Sequence, residues 1–198
     1  MSINTIIPKK YQTFWSISNI LDYQSCPKMS ALKKYRTLDV GVTDDQEKGN
    51  IKHQWAAKII MDDMSDLDSP EFLAFKTMFI NKEWFSSLNG NGKFFVEYPF
   101  EYQYKGHTIR GRFDAIWFDD NQKKIKILEF KLSIGENSQR YANQLHFYAD
   151  ILREKYPNYS LTPDDCMLID FQTCLVIPIA HPSGSIHDIL DDLPNTKG

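Results

Sequence analysis

Two acids and a lysine, Asp114, Glu129 and Lys131, sit inside the stretch Gly111 to Lys131 (GRFDAIWFDDNQKKIKILEFK) and constrain this chain more than any other feature. The stretch reads as two strands joined by a short polar turn, Asp119-Asp120-Asn121-Gln122, suited to an antiparallel hairpin. Side chains alternate across a strand, so the pattern assigns Arg112, Asp114 and Ile116 to one face and Phe113, Ala115 and Trp117 to the other. On the second strand Ile125, Ile127, Glu129 and Lys131 share a face, with Lys126, Leu128, Phe130 and Leu132 behind them. Pairing the strands brings the face of Asp114 beside that of Glu129. A sheet built this way turns charge into apolar surroundings, and that charge must be used or neutralised.

Carboxylates held close together repel, and a divalent cation that prefers oxygen ligands, Mg²⁺ or Mn²⁺, relieves the repulsion. The ammonium of Lys131 suits two tasks beside them: stabilising negative charge on a phosphoryl group, or positioning a metal-activated water. Taken singly, Asp114 and Glu129 read as ordinary strand acids facing solvent or a basic partner. Taken with Lys131, they point to a metal site and phosphodiester hydrolysis.

Gly111-Arg112-Phe113-Asp114, then Glu129-Phe130-Lys131, then Gln144-Leu145-His146-Phe147-Tyr148, resembles the PD-(D/E)XK nuclease superfamily, in particular its RecB-like branch, which includes the CRISPR-associated exonucleases. The resemblance runs from Ser16 to Ile179 and implies a restriction-endonuclease-like α/β fold. That fold is a mixed β-sheet core flanked by helices, with an N-terminal helical portion. It implies a metal-dependent DNA nuclease, an exonuclease acting on DNA ends or single strands in recombination, repair, phage or defence processes. Asp114 and Glu129 would ligate Mg²⁺ or Mn²⁺ together with the backbone carbonyl of Phe130. His53 would join them, because Gly49-x-x-x-His53 is similar to the family's helix that feeds a histidine to the metal. Lys131 would stabilise the transition state, and Gln144 and Tyr148 would hold the nucleic acid or orient water. Tyr23, Cys26 and Pro27 match a further family feature, in which the cysteine of some relatives ligates an iron–sulfur cluster. The chain has 3 cysteines, fewer than the four thiolates such a cluster takes, so no iron–sulfur cluster is expected and Cys26 reads as a packing residue. Two other readings of the same residues stay open. One is a non-catalytic or partner-dependent nucleic-acid-binding or complex-forming protein with this fold, an accessory in a recombination or defence complex; the other is a ribonuclease.

At 198 residues and 42% hydrophobic content the chain suits one well-cored domain, assigned to residues 1–180, followed by a polar, acidic tail at 181–198. No apolar run is long enough for a membrane span and the N-terminus lacks the pattern of a signal peptide, so a cytoplasmic protein with no membrane partner is expected. A net charge of −3 gives no global attraction to nucleic acid. Binding to DNA would rest on local basic groups: Lys33 and Lys34 on a helix after Pro27, Arg112 among Lys105, His107 and Arg110, and Arg140, each equally readable as a solvated face.

Helices are predicted from Ser16 or Ser18 to Ser25, from Asp44 to Met64, from Ser69 to Leu88 and from Ser138 to Lys155. Arg140, Gln144 and Tyr148 recur every four residues along the last of these and share one side of it. A strand at Lys93–Tyr104 precedes the hairpin, and late strands follow at Cys166–Phe171 and Leu175–Ala180. Glu97, in Val96-Glu97-Tyr98-Pro99, reads as a supporting acid outside the primary ligands.

Overall fold

The computed structural model describes residues 14–27, 30, 43–63, 65, 69–88, 90, 92–179 and 185–193. Its centre is a five-stranded mixed sheet of β1 (Lys93–Tyr104), β2 (His107–Asp119), β3 (Lys124–Lys131), β4 (Cys166–Asp170) and β5 (Val176–Ile177), in the order β1-β2-β3-β4-β5. The first three strands form the expected antiparallel meander; β4 runs parallel to β3, and β5 antiparallel to β4. Among the described residues, six α-helices surround it: α1 (Ile17–Ser25), α2 (Asp44–Ile60), α3 (Pro70–Ile80), α4 (Glu83–Leu88), α5 (Ser138–Lys155) and α6 (Ile186–Asp191). The architecture is α/β with helices on the N-terminal side. Parallel neighbours need a long crossover, and α5 supplies it between β3 and β4.

Local chemistry sets the helix starts. The Ser16 hydroxyl accepts the Asn19 amide at 3.1 Å, and Thr43 and Gln46 cap α2 reciprocally. The single helix predicted over Ser69–Leu88 divides at Asn81 and Lys82 into α3 and α4. The helix expected after Pro27, with Lys33 and Lys34, lies outside the described residues. Among the described residues, no helix is long and apolar enough to cross a membrane.

Each face of the sheet carries its own core. Ile20, Ile127, Leu145 and Leu152 belong to the core beneath α1 and α5; Ile59, Phe79, Leu128 and Phe130 belong to the opposite core beneath α2 and α3. The alternation expected of β3 holds, with Ile125 and Ile127 on the first side and Leu128 and Phe130 on the second. The C-terminal segment departs from its reading as a peripheral tail. Ile186, Leu190 and Leu193 are buried in the first core, and the acid Asp188 is spent on a capping box with Ser185. Polarity hid a short amphipathic helix.

On β2 the expected alternation fails at one point. Phe113 lies in the first core with Ile116, whereas Ala115 and Trp117 lie in the second. On β1, Phe94 and Val96 pack on the second core and Tyr98 and Phe100 on the first, although all four positions are even. The switch falls at Glu97, whose φ is 51°, between the pairs Val96↔Ala115 and Tyr98↔Phe113 and therefore opposite Asp114. A left-handed residue turns the side chains that follow it, so a reading based on an unbroken pleat assigns Phe113 to the wrong face. Both strands switch together and the register is kept.

The β2–β3 ladder stops at Ala115↔Leu128. Further along, β2 pairs with Trp15 instead, whose N–H donates to the Thr108 carbonyl at 2.7 Å and whose carbonyl accepts the Arg110 N–H at 2.8 Å. The sheet therefore has a gap between Asp114 and Glu129, closed at its far end by Trp15.

Gly111 is required here for space. A Cβ at this position would sit 2.6 Å from Cε1 and Cζ of Phe100, the buried residue paired with it across the ladder. Gly111→Ala is expected to cost about 1–3 kcal/mol through overpacking, read as a lower urea midpoint, with Phe100→Leu in the same chain restoring part of it. An unchanged midpoint in the single variant would mean that the ring moves aside freely.

Candidate metal centre

Strand β3 presents Glu129 and Lys131 on the side that α5 covers, as their shared parity requires. Glu129 is 1% exposed. The Lys131 ammonium donates to its Oε1, and the Gln144 amide of α5 donates to the same oxygen at 2.8 Å. The other oxygen, Oε2, is buried and has no hydrogen-bond partner among the described residues. A buried carboxylate oxygen left in that state is costly.

Asp114 lies in the gap between β2 and β3. Its Oδ2 accepts the Phe130 backbone N–H at 2.8 Å, which satisfies a β3 amide where the ladder has ended. From α2, the His53 Nδ1 approaches the same Oδ2 at 3.6 Å. The imidazole is fixed edge-on against Phe171, with ring centroids 4.9 Å apart, and against Phe130 at 6.3 Å. His53, Asp114 and Glu97 offer ligand atoms that all lie within 4.8 Å of one another.

Electrostatics reflects this crowding. Burial pushes the Asp114 carboxyl up to about 6 against the pull of Lys131. Burial and then the Asp114 charge push Glu129 up to about 7. Burial lowers the Lys131 ammonium, but the charges of Glu129 and Asp114 outweigh it, and the group stays above its ordinary value. His53 is lowered, first by burial and then by Lys131, so its imidazole is neutral at neutral pH and can ligate.

The donor set fits a divalent cation. It combines a neutral imidazole with the carboxylates of Asp114 and Glu97, an oxygen-dominated set. Glu129, expected among the ligands, is not part of this three-residue cluster, and its buried Oε2 has no hydrogen-bond partner among the described residues. Phe130, expected at the metal through its carbonyl, contributes an amide N–H to Asp114 in the structure. Glu97, read in sequence as a supporting acid, stands in the cluster with His53 and Asp114. Its signal was its place opposite Asp114 in the meander, which the strand pairing fixes.

Gln144 and Tyr148 take part through the protein's own groups. The Gln144 amide spans Glu129 and the Tyr148 hydroxyl, which it reaches at 3.0 Å. The Tyr148 hydroxyl donates to the Arg112 carbonyl at 3.1 Å, and the residue is 5% exposed. Together they tie α5 to both carboxylate-bearing strands. Arg140 stands apart: its guanidinium holds Asp22 at 2.9 Å and the Ser18 carbonyl at 3.3 Å, fastening α5 to α1. The basic group around Arg112 is largely neutralised. Lys105 pairs with Asp191, Arg110 with Glu101 and Arg112 with Glu97, while His107 is buried. Neither models of known protein families nor curated proteins yield a match to this sequence.

Carboxyl values raised in the fold mean that the folded chain binds more protons than the unfolded one between about pH 4 and 7. Stability without cation should therefore fall as pH rises through that window. At pH 8, Asp114→Asn should raise the melting temperature by a few degrees, at about 2–4 °C per kcal/mol for a chain of this size, and should abolish the further rise that Mn²⁺ gives the parent. A lower melting temperature with the Mn²⁺ response retained would remove Asp114 from the site.

Proposed function

We propose that the chain is a metal-dependent deoxyribonuclease of the RecB-like PD-(D/E)XK kind, acting as an exonuclease on DNA ends or single strands. The observation that carries this reading is the convergence of Asp114, Glu129 and Lys131 at the gap in the sheet, with His53 reaching Asp114 from α2. The motif that resembles the family in sequence is thus also a spatial cluster.

Asp114, Glu129, His53 and Glu97 would hold the cation. A cation bound there supplies charge for a phosphoryl oxygen and lowers the pKa of an attacking water. Lys131 keeps its proton at neutral pH and is partly exposed, at 21%. It can therefore donate to a non-bridging phosphate oxygen as negative charge grows there. Tyr141 lies beneath it, with the ammonium 5.3 Å from the ring centroid, and limits where that charge can move. Gln144 orients Glu129, and Tyr148 fixes the backbone of Arg112. Lys131 and Gln144 both donate to Oε1, the Lys131 charge pulls against the burial that favours the neutral acid, and Oε2 is left for the cation.

End-labelled linear and circular DNA, single- and double-stranded, incubated with Mg²⁺, Mn²⁺ or EDTA tests the reading. Linear DNA should be degraded only with metal and circles spared, and Lys131→Met should lose on the order of 10²–10³ of the rate while still melting cooperatively. Cutting of circles would make it an endonuclease, and faster loss of labelled RNA a ribonuclease. Binding without cleavage under every metal would replace the enzyme with a nucleic-acid-binding protein.

A further inference from the structure

Arg112 and Glu97 form an ion pair, Nε to Oε2 at 2.5 Å, at the mouth of the candidate metal centre. The carboxylate in this pair is the same one whose oxygen stands within 4.8 Å of the donor atoms of His53 and Asp114. One carboxylate therefore faces two cationic claims, a guanidinium and a metal ion. The two partners are also built differently. Glu97 is fixed by a backbone that costs energy: among the described residues it is the only non-glycine with positive φ inside a strand, the others falling in turns or at the end of a helix. Strain of this kind persists where the surrounding structure enforces it, and it marks functional positions. The main chain of Arg112 is held by the Tyr148 hydroxyl, but its side chain is 66% exposed and held by the Glu97 ion pair. The anchored partner is the acid and the more exposed one is the base.

We infer that Arg112 is a latch on the metal centre: it neutralises Glu97 until a divalent cation takes that carboxylate, and the released guanidinium then binds a phosphate of the nucleic acid. The cation completes the charge balance. Without it, Arg112 offsets Glu97 and Lys131 offsets Glu129, leaving Asp114 unmatched; a divalent cation offsets Asp114 and Glu97, and an arginine becomes available beside it. A planar guanidinium matches phosphate as well as carboxylate, so the same side chain serves both positions. Cation and phosphate then assist each other's binding by the same factor, because each favours the open latch. The phosphate half of this inference rests on the nuclease reading; the cation half does not.

Mn²⁺ titrations of the purified protein, followed by electron paramagnetic resonance without nucleic acid, test the latch directly. Arg112→Ala should tighten Mn²⁺ several-fold, and Glu97→Gln should weaken it by roughly tenfold or more. Adding Arg112→Ala to Glu97→Gln should change nothing further, since the latch has lost its carboxylate. Equal or weaker Mn²⁺ binding in Arg112→Ala would overturn the inference, as would full binding in Glu97→Gln. Glu97→Gly guards against misreading a folding defect: it relieves the positive φ, so it should melt at a higher temperature than the parent while losing Mn²⁺ affinity. For the phosphate half, a fluorescent single-stranded oligonucleotide in the Lys131→Met background should bind at least about fivefold tighter with Mn²⁺ than with EDTA. That gain should shrink in Arg112→Ala; a gain of the same size there would overturn the exchange. If the Mn²⁺ pattern holds and nucleic acid is neither bound nor cut, the cation latch stands and the nuclease reading falls.

Discussion

The hydrogen bond from the Phe130 amide to the Asp114 carboxylate holds the centre of this molecule together. It forms where the β2–β3 ladder has stopped, so a side chain replaces the backbone partner that β3 would otherwise have had. With the two strands parted but still tied, a gap opens between them at Asp114 and Glu129. Glu129 and Lys131 line one wall of it and His53 approaches from the other. Were the ladder to continue normally, Asp114 would point to one face and lose contact with the other. The break in regularity is what lets one carboxylate meet residues from both layers.

The same arrangement concentrates unfavourable energy. Burial pushes two acids toward their neutral forms, one carboxylate oxygen lacks a partner among the described residues, and a strand residue adopts a left-handed backbone. A fold can carry these costs because the cores on either side are dense with aromatic rings. Phe130 stacks on Phe171 with centroids 5.2 Å apart, and Phe113 lies 4.6 Å from Tyr148. Each polar group of the centre is thus mounted directly on a residue that belongs to a core. Rigidity is supplied by the apolar layers and chemistry by the seam between them.

Much of this was legible in the residues, and the gaps have physical causes. The meander, α5 and the parity of β3 followed from period and turn chemistry, because those segments are regular. The face switch on β1 and β2 was not legible, since Glu97 adopts a backbone angle that its residue type does not advertise. Its role among the ligands was lost with it: only the register shows that Glu97 stands opposite Asp114. Arg140 shares a helical stripe with Gln144 and Tyr148, yet it meets α1, and spacing along one helix says nothing about which neighbour lies above each turn. The buried Ile186 and Leu190 were masked by acidic residues that serve as caps. Pairing of Trp15 with β2 spans most of the distance to residue 109 and leaves no local trace.

The parallel partnership of β3 with β4 also has a bearing on when the centre comes into being. Glu129, Phe130 and Lys131 pair with Leu168, Ile169 and Asp170, and the Lys131 carbonyl accepts the Phe171 N–H. A growing chain that has already produced every acid, the lysine and all of α5 still lacks the strand that covers their outer edge. Parallel pairing across so long a loop closes late, because its entropy must be met before any contact rewards it. During synthesis, then, the groups that would bind a cation remain scattered until β4 has emerged, and the nascent polypeptide carries the parts of the carboxylate centre without the centre itself.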